Sequence, residues 1–480
     1  MAKLPLLKTG PPLLEWRRHI GGGPHGRPFS RRQQNTTSDA ESGILTAVKK
    51  AALTGAHPLI FYYHRLNRYS FNALAGALDS DAELAEWPIS LAKTAAELQA
   101  TAATAWNKHG RLVVALSVLT PQLEDVLELV RRLRSAYGSD ITILAGGPHA
   151  TAESTELLMS GVDIVFRGEA EVSFPRVLRR LSQGLECEDI AGTAVRRDNQ
   201  IIVAPRARPV DLDSFASFSP RRGMLGPIEI TRGCPFACSY CQTSHIFGVQ
   251  PRHRSISVIV RQAAMLCSKG RAVIRLLSPN AFSYGSPDGR RLNLTAMSEL
   301  LASLRATVSP RGRIIFGYFP SEARPEHVTP ETLDLLKQYA DNDEIVIGAQ
   351  SGSSHVLETC HRGHTAENIL QAVSLARKRG YKIIVDFMFG LPGETAGDVR
   401  ETITLMIELA RLGARIHPHA FVPLPQTAFA AERPGRIAPE VIRVLGQLKQ
   451  QGAIYGDWVV QRKLANRMVQ RRRAPQEFEE

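Results

Sequence analysis

Cys234, Cys238 and Cys241 lie within eight residues, in the run Thr231-Arg232-Gly233-Cys234-Pro235-Phe236-Ala237-Cys238-Ser239-Tyr240-Cys241. The chain's other cysteines, Cys187, Cys267 and Cys360, are scattered. A long chain with no export signal is expected in a reducing compartment, where clustered thiols bind metal or do redox work instead of pairing. Three thiolates from one short loop can hold three irons of a four-iron cluster and leave the fourth iron open to an outside ligand. Zinc is the alternative: it normally takes a fourth protein ligand, and His245 stands four residues beyond Cys241. Zinc modules favour paired two-residue Cys spacings, which this loop lacks.

The loop needs a scaffold, and the pattern around it supplies two. Strand-sized apolar runs at His57 to Tyr63, Arg111 to Leu119, Ile141 to Leu144 and Asp163 to Phe166 alternate with helical stretches such as Leu123 to Tyr137 and Glu171 to Leu181. Such alternation predicts a Rossmann-like parallel α/β sheet over residues 43–186. Ligands of open sheets sit beyond the carboxyl ends of the strands, which here carry Ser117, Thr120, Gly146-Gly147-Pro148-His149 and Arg167-Gly168-Glu169. Tight strand-to-helix turns would account for the same glycines. Residues 187–224 break the rhythm with a hairpin between Gly192 and Pro205 and a linker. A second block, residues 225–435, interleaves strand candidates at Pro227 to Thr231, Ala272 to Ser278, Arg313 to Phe319, Glu344 to Gln350, Lys382 to Phe389 and Arg415 to Val422 with amphipathic helices. That pattern suits a full or partial parallel barrel with its chemistry at the carboxyl-terminal rim. Residues 436–480 read as a short helical segment ending in a basic tail.

Composition bounds the rest. The chain has 480 residues and a formal net charge of +13, which by itself raises a nucleic-acid or acidic-membrane partner. Residues 1–42 read as a basic, disordered tail; residues 1–40 and 462–480 together supply eight of the thirteen net positive charges, so the body is only mildly basic. No apolar run approaches the roughly 18–20 residues needed to cross a bilayer. A cytoplasmic protein without membrane association or a dedicated nucleic-acid module is the expectation.

The cysteine loop, placed after the first strand of such a barrel, resembles the signature of the radical S-adenosylmethionine superfamily, whose core is a partial (βα)6 barrel. The resemblance implies that Cys234, Cys238 and Cys241 hold a [4Fe-4S] cluster, that S-adenosylmethionine binds its open iron, and that cleavage yields a 5′-deoxyadenosyl radical. Tyr240 would lie near the adenine, with plain barrel packing as the alternative. Ile347-Gly348-Ala349-Gln350-Ser351-Gly352-Ser353, His361-Arg362-Gly363-His364 and Asp386-Phe387-Met388-Phe389-Gly390-Leu391-Pro392-Gly393-Glu394 are similar to rim segments of the methylthiotransferase-like subgroup. They imply cofactor contacts from Gln350, Ser351, Arg362 and Gly390. Where the superfamily often has Gly-Gly-Glu after the second strand, this chain has Leu277-Ser278-Pro279-Asn280, making Ser278 and Asn280 the polar candidates. The first block resembles the cobalamin-binding domain of B12-dependent radical enzymes, which implies cobalamin contacts at Ser117, Thr120, Gly146, Gly147, Gly168 and Glu169. The Asp-x-His-x-x-Gly motif that supplies a lower axial histidine in many cobalamin proteins is absent: His64 is followed by Arg65-Leu66 with no Asp two residues before it.

The implied function is that of a class B cobalamin-dependent radical enzyme methylating an unactivated carbon of a small-molecule or unknown substrate. Its reductant would be an acidic electron donor of the flavodoxin or ferredoxin type. One alternative is a methylthiotransferase-like tRNA-modifying enzyme; that group carries three more cysteines in its amino-terminal domain, where this chain has only Cys187. The other is a non-catalytic zinc- or cobalamin-binding protein. Arg252, Arg254, His417 and His419 fall at predicted loop or rim positions where they could face substrate.

Overall fold

The computed structural model describes residues 57–473 apart from 198–199, 309–311, 320 and 457. The tail expected over residues 1–42 and the last seven residues lie outside the described residues.

The first unit is built on β1 (Leu59–Tyr62), β2 (Ile89–Ala92), β3 (Leu112–Ser117), β4 (Ile141–Gly146), β5 (Ile164–Phe166), β6 (Thr193–Arg197) and β7 (Gln200–Val203), in the sheet order 2-1-3-4-5-6-7. Its first five strands are parallel. β3 is buried along its whole length, as a strand covered on both faces must be. Helices α1 (Arg68–Asp79), α2 (Ala95–His109), α3 (Leu123–Tyr137), α4 (Pro148–Ala152), α5 (Ser154–Met159) and α6 (Ser173–Ser182) connect the strands. In α3 the inward residues Val126, Leu129, Val130 and Leu133 recur at helical spacing. The hairpin expected between Gly192 and Pro205 pairs β6 with β7, and β6 pairs antiparallel with β5, so that the hairpin extends the first sheet.

The barrel begins with β8 (Ile228–Glu229) and β9 (Thr231–Arg232); β10 (Arg252–His253) pairs antiparallel with β9 across the base of the cysteine loop. β11 (Val273–Leu277), β12 (Arg313–Ile315), β13 (Glu344–Gln350), β14 (Lys382–Phe389) and β15 (Arg415–Ala420) follow. They form two parallel groups, 12-11-8 and 13-14-15. The strand expected over Arg313 to Phe319 is regular only to Ile315; beyond it the chain reaches β13 through single contacts, Val346 N–H to the Gly317 carbonyl (3.0 Å) and Ala323 N–H to the Val346 carbonyl (2.8 Å). The helices are α7 (Thr243–Phe247), α8 (Ile256–Ser268), α9 (Leu294–Thr307), α10 (Pro330–Tyr339), α11 (Ser354–Thr359), α12 (Ala366–Lys378), α13 (Ala396–Arg411), α14 (Pro439–Gln450) and α15 (Val459–Arg473). Thr329, Thr365 and Thr395 open α10, α12 and α13 with reciprocal capping boxes, which fixes where each helix starts relative to the rim. No helix among the described residues is long and apolar enough to cross a membrane.

Candidate active site

The cysteine loop leaves the carboxyl end of β9. At Gly233 (φ +92°) a side chain would put Cβ 2.4 Å from the Gln250 carbonyl oxygen, so the turn off the strand requires glycine. Ala237, between the first two thiols, is also left-handed (φ +47°), a conformation costly for a residue with a side chain. The far side of the loop is tied down by Ser239, whose N–H donates to the Cys360 carbonyl (3.1 Å) and whose hydroxyl donates to the Thr359 carbonyl (3.0 Å). Burial pushes the Cys234 and Cys241 thiols above the usual range, so a metal that takes them as thiolates would have to drive the deprotonation. Among the described residues only Asp386, His417 and His419 bring three potential ligand atoms within 4.8 Å of one another. The cysteine sulfurs are spread more widely, whereas zinc–sulfur bonds would hold them roughly 3.8 Å apart, and His245 is exposed. The loop as it stands is therefore not drawn together for a single zinc.

Arg362, buried on the turn after α11, reaches the loop: Nη1 is 3.3 Å from Cys238 Sγ and Nη2 donates to the Gly348 carbonyl at 2.7 Å. Its Nε is buried without a partner. A Cβ on Gly348 would lie 3.2 Å from Gln350 Nε2, 3.3 Å from Arg362 Nη2 and 3.8 Å from Glu322 Oε2. An amide, a guanidinium and a carboxyl therefore converge on one bare patch of β13. Burial, and then the charge of Asp386, push the Glu322 carboxyl up to about 8, so it carries its proton at neutral pH.

A second polar centre lies on the other side of the loop. Phe236 stacks under Arg324, with Cζ 3.4 Å from the ring centroid, and packs edge-on to His327. His327 Nε2 donates to the Arg290 carbonyl (2.8 Å), so Nδ1 is its acceptor and takes an N–H of the Asn280 amide (2.8 Å). This network turns Asn280 Oδ1 away from His327, buried and without a partner. An N–H donor or ammonium group of a ligand would satisfy it.

Beyond the ends of β3 and β4, between the first sheet and the barrel, lies a cavity of about 370 Å³. Ser117, Gly146, Gly147 and Gly168 line it, and Ser117 Oγ is buried with no partner. At Gly147 (φ +97°) a Cβ would sit 3.0 Å from both the N and the O of Val118 and 3.1 Å from Ser117 Oγ. An adjoining cavity of about 240 Å³ shares Thr151, Gly168 and Phe247 with it. The orphaned hydroxyl and the glycine-kept floor fit a large, mainly apolar cofactor with polar edges.

Other expected contacts are already engaged within the fold. Thr120 does not line the cavity; its hydroxyl faces His149 Nδ1 at 3.2 Å. Glu169 lines it, but its carboxylate is held by Arg232 (3.0 Å), by Arg252 and by the Val210 N–H (3.1 Å), which makes it part of a buried ionic tie to the barrel. Arg252 is thus a structural residue. So is Arg254, which is buried and donates to the backbone carbonyls of Leu212, Phe215 and Glu229. The Ser351 hydroxyl meets Thr402 Oγ1 (3.0 Å) and accepts the Ser353 N–H (3.1 Å), joining its turn to α13. Ser278 is buried in the cavity wall, and its hydroxyl donates to the Asn280 carbonyl (2.7 Å). Gly390 is glycine because a Cβ would stand 2.7 Å from the Gly435 carbonyl oxygen. Tyr240 packs against an apolar cluster that includes Val356, Phe421 and Phe429. Sequence reasoning missed Glu322, Arg324 and His327, which sit on irregular chain after β12; it quoted Asp386 only within a motif and read His417 and His419 singly. The period-two spacing of His417 and His419, in register with Asp386 on the neighbouring strand, is the signal that would have united these three.

Comparison with known proteins agrees with this division. The Radical SAM superfamily model matches residues 228–406 and the B12 binding domain model matches residues 74–178. A tRNA-2-methylthio-N(6)-dimethylallyladenosine synthase of Zymomonas mobilis is 27% identical over 67% of this chain and 67% of its own. An uncharacterised methyltransferase of Pyrococcus horikoshii is 23% identical over 61% of this chain and 63% of its own. The chain thus spans about two thirds of the length of these relatives. Among solved structures, the radical S-adenosylmethionine methyltransferase TsrM from Kitasatospora setae, with cobalamin and [4Fe-4S] cluster bound, shares the fold at a TM-score of 0.61, with 16% identity over 80% of this chain and 76% of that one. The cobalamin-dependent S-adenosylmethionine radical enzyme OxsB matches with a TM-score of 0.58 and 16% identity over 74% of this chain and 52% of that one.

Proposed function

The chain belongs to the radical S-adenosylmethionine proteins that carry an amino-terminal B12-binding domain, and from that premise we propose that it transfers a methyl group to an unactivated carbon. The observation that carries this reading is the placing of the glycine-floored cavity between the first sheet and the barrel that bears the cysteine loop. When bound, the cluster with S-adenosylmethionine supplies a hydrogen-abstracting radical and cobalamin supplies a methyl carrier.

The protein's part is to bind, orient and exclude water. Cys234, Cys238 and Cys241 would hold the cluster. Arg362, donating toward Cys238 Sγ, places a buried positive charge beside it, with Nε left to donate to a carboxylate. Asn280 Oδ1 would accept from the ammonium group of S-adenosylmethionine in place of an acid, and Gln350 would offer its amide to the ribose. Ser117, Gly146, Gly147 and Gly168 would receive cobalamin. A flavodoxin- or ferredoxin-like donor is the reductant expected for a chain with basic ends, recognisable by a cluster reduction rate that falls as salt is raised.

The similarity to a tRNA methylthio enzyme supports a second reading. Against it stands Cys187, the only cysteine before the loop, which is buried and has its thiol pushed up to about 11 by desolvation. The test is anaerobic reconstitution of the full chain. Replacing all three loop cysteines by Ala is predicted to abolish the iron–sulfur absorption and 5′-deoxyadenosine formation; a triple variant that still cleaves S-adenosylmethionine at the wild-type rate would overturn the radical assignment.

A further inference from the structure

Asp386 on β14 and His417 and His419 on β15 lie on adjacent parallel strands, with Asp386 paired to His417 and Met388 to His419. The i, i+2 spacing puts both imidazoles on the face that carries Asp386. His417 Nδ1 is 2.8 Å from Asp386 Oδ1, His419 Nε2 is 3.1 Å from His417 Nδ1, and His419 Nε2 is 3.7 Å from Asp386 Oδ1.

A ring nitrogen has one in-plane valence, either a proton or a lone pair, so His417 Nδ1 can make only one of its two contacts as a hydrogen bond. The other is a close approach of polar atoms with nothing between them. A cation removes the conflict. Bonds of about 2.1 Å to one ion would separate the ligand atoms by roughly 3.0 Å in octahedral or 3.4 Å in tetrahedral geometry, and the three observed separations bracket those values.

The surroundings match what a bound ion needs. Gln461 of α15 contacts His419 Nδ1 at 3.0 Å, the outer position from which a partner can orient a metal-bound imidazole. His417 packs edge-on to Phe319 and Tyr455, and Gly456 makes room for it, since a Cβ there would lie 2.5 Å from the His417 ring. The Asp386 carboxylate is 3% exposed and the two imidazoles 15% and 24%. The ring side is therefore the accessible one.

We propose that Asp386, His417 and His419 bind one divalent transition ion, separate from the cysteine loop. Two nitrogens and one oxygen suit zinc, ferrous iron or cobalt, and three protein ligands leave coordination open to water or to an oxygen donor of a bound molecule. The site does not depend on the cofactor chemistry proposed above.

Gln461 supplies a discriminating test. Its Oε1 accepts the Ala420 N–H at 2.8 Å, so its NH2 group faces His419 Nδ1. For Nε2 of His419 to coordinate, Nδ1 must carry the proton, and the Gln461 amide then opposes it donor to donor. A carboxylate at this position would accept from both.

The experiment titrates the full chain bearing Cys234→Ala, Cys238→Ala and Cys241→Ala, which removes the iron cluster, with Co²⁺ by visible absorption and calorimetry. One Co²⁺ per chain is expected, with affinity lowered at least 100-fold by His417→Gln or His419→Gln and raised about tenfold by Gln461→Glu. The gain cannot be mimicked by misfolding. Absence of stoichiometric binding, or binding indifferent to all three substitutions, would show that protons and not an ion fill the cluster and would overturn the proposal. Acetohydroxamate is expected to shift the Co²⁺ spectrum; an unchanged spectrum would contradict the open position.

Discussion

Asn280 is the residue whose role the structure sharpens most. Its sequence context, Leu277-Ser278-Pro279-Asn280, offers only a weak polar candidate, yet His327 and the Arg290 carbonyl together fix its amide so that a buried Oδ1 has nothing to accept. A hydrogen bond to a charged group contributes about 1.5–3 kcal/mol. Asn280→Leu is therefore predicted to weaken S-adenosylmethionine binding roughly tenfold or more while leaving the iron content unchanged; equal affinity in wild type and variant would remove Asn280 from the site. His327 also belongs to a set of buried imidazoles. Burial lowers the affinity of His253 and His327 for a proton, and burial with the nearby charge of Arg362 and Arg324 brings His364 down to about 2. The unfolded chain protonates these groups near pH 6.5, so below that pH the unfolded state binds more protons and stability falls as pH drops. The urea midpoint of the metal-free chain should decline between pH 7 and pH 5; a midpoint that rises would contradict the assigned burial.

At the scale of elements, most of the scaffold is legible in the sequence because its signals are local. The span Leu123 to Tyr137, the strand Glu344 to Gln350 and the strand Lys382 to Phe389 are observed with the expected bounds, since periodicity, turn residues and strand length all agree there. β2 was not expected: Ile89–Ala92 is an edge strand with exposed centre residues, and its only partner is β1. The ionic tie between the sheet and the barrel was also out of reach, because its members are dispersed in sequence. Arg232, at the end of β9, meets Glu169, Glu171 and Glu229, with 7% of its side chain exposed. Removing the cation would leave buried Glu171 without a counter-ion beside Glu229, with Arg252 pairing Glu169 alone, so Arg232→Ala is predicted to destabilise the chain by about 3–5 kcal/mol, read as a lowered urea midpoint at pH 7. A change below about 1 kcal/mol would mean that water already screens this cluster. The cysteine spacing can be read in the sequence, while the contacts around it cannot: Arg362 reaches Cys238 from the turn after α11, and Asn280 is oriented by His327, which packs edge-on to Phe236 of the loop.

For the whole molecule, the parallel sheet and the barrel enclose the cavity of about 370 Å³ on one side of the chain segment that carries the cysteine loop. Of the buried polar atoms left without a partner, Ser117 Oγ lies at that cavity, and Arg362 Nε and Asn280 Oδ1 lie on the barrel side. Gly147 separates their contributions. Its left-handed backbone and the Val118 backbone atoms beside it leave no room for a branched side chain, so Gly147→Val is predicted to lose cobalamin while keeping the iron–sulfur absorption. The central claim is that one chain holds both cofactors, with one S-adenosylmethionine cleaved at the cluster to 5′-deoxyadenosine and a second giving its methyl group to cobalamin and leaving as S-adenosylhomocysteine; a single measurement tests it most directly. The full chain, reconstituted anaerobically with iron, sulfide and hydroxocobalamin and then reduced, is incubated with S-adenosylmethionine, and 5′-deoxyadenosine and S-adenosylhomocysteine are quantified in the same sample. Both products are expected, the first abolished by the triple cysteine variant and the second by Gly147→Val. A preparation with its full complement of iron, sulfide and cobalt that forms neither product would contradict it.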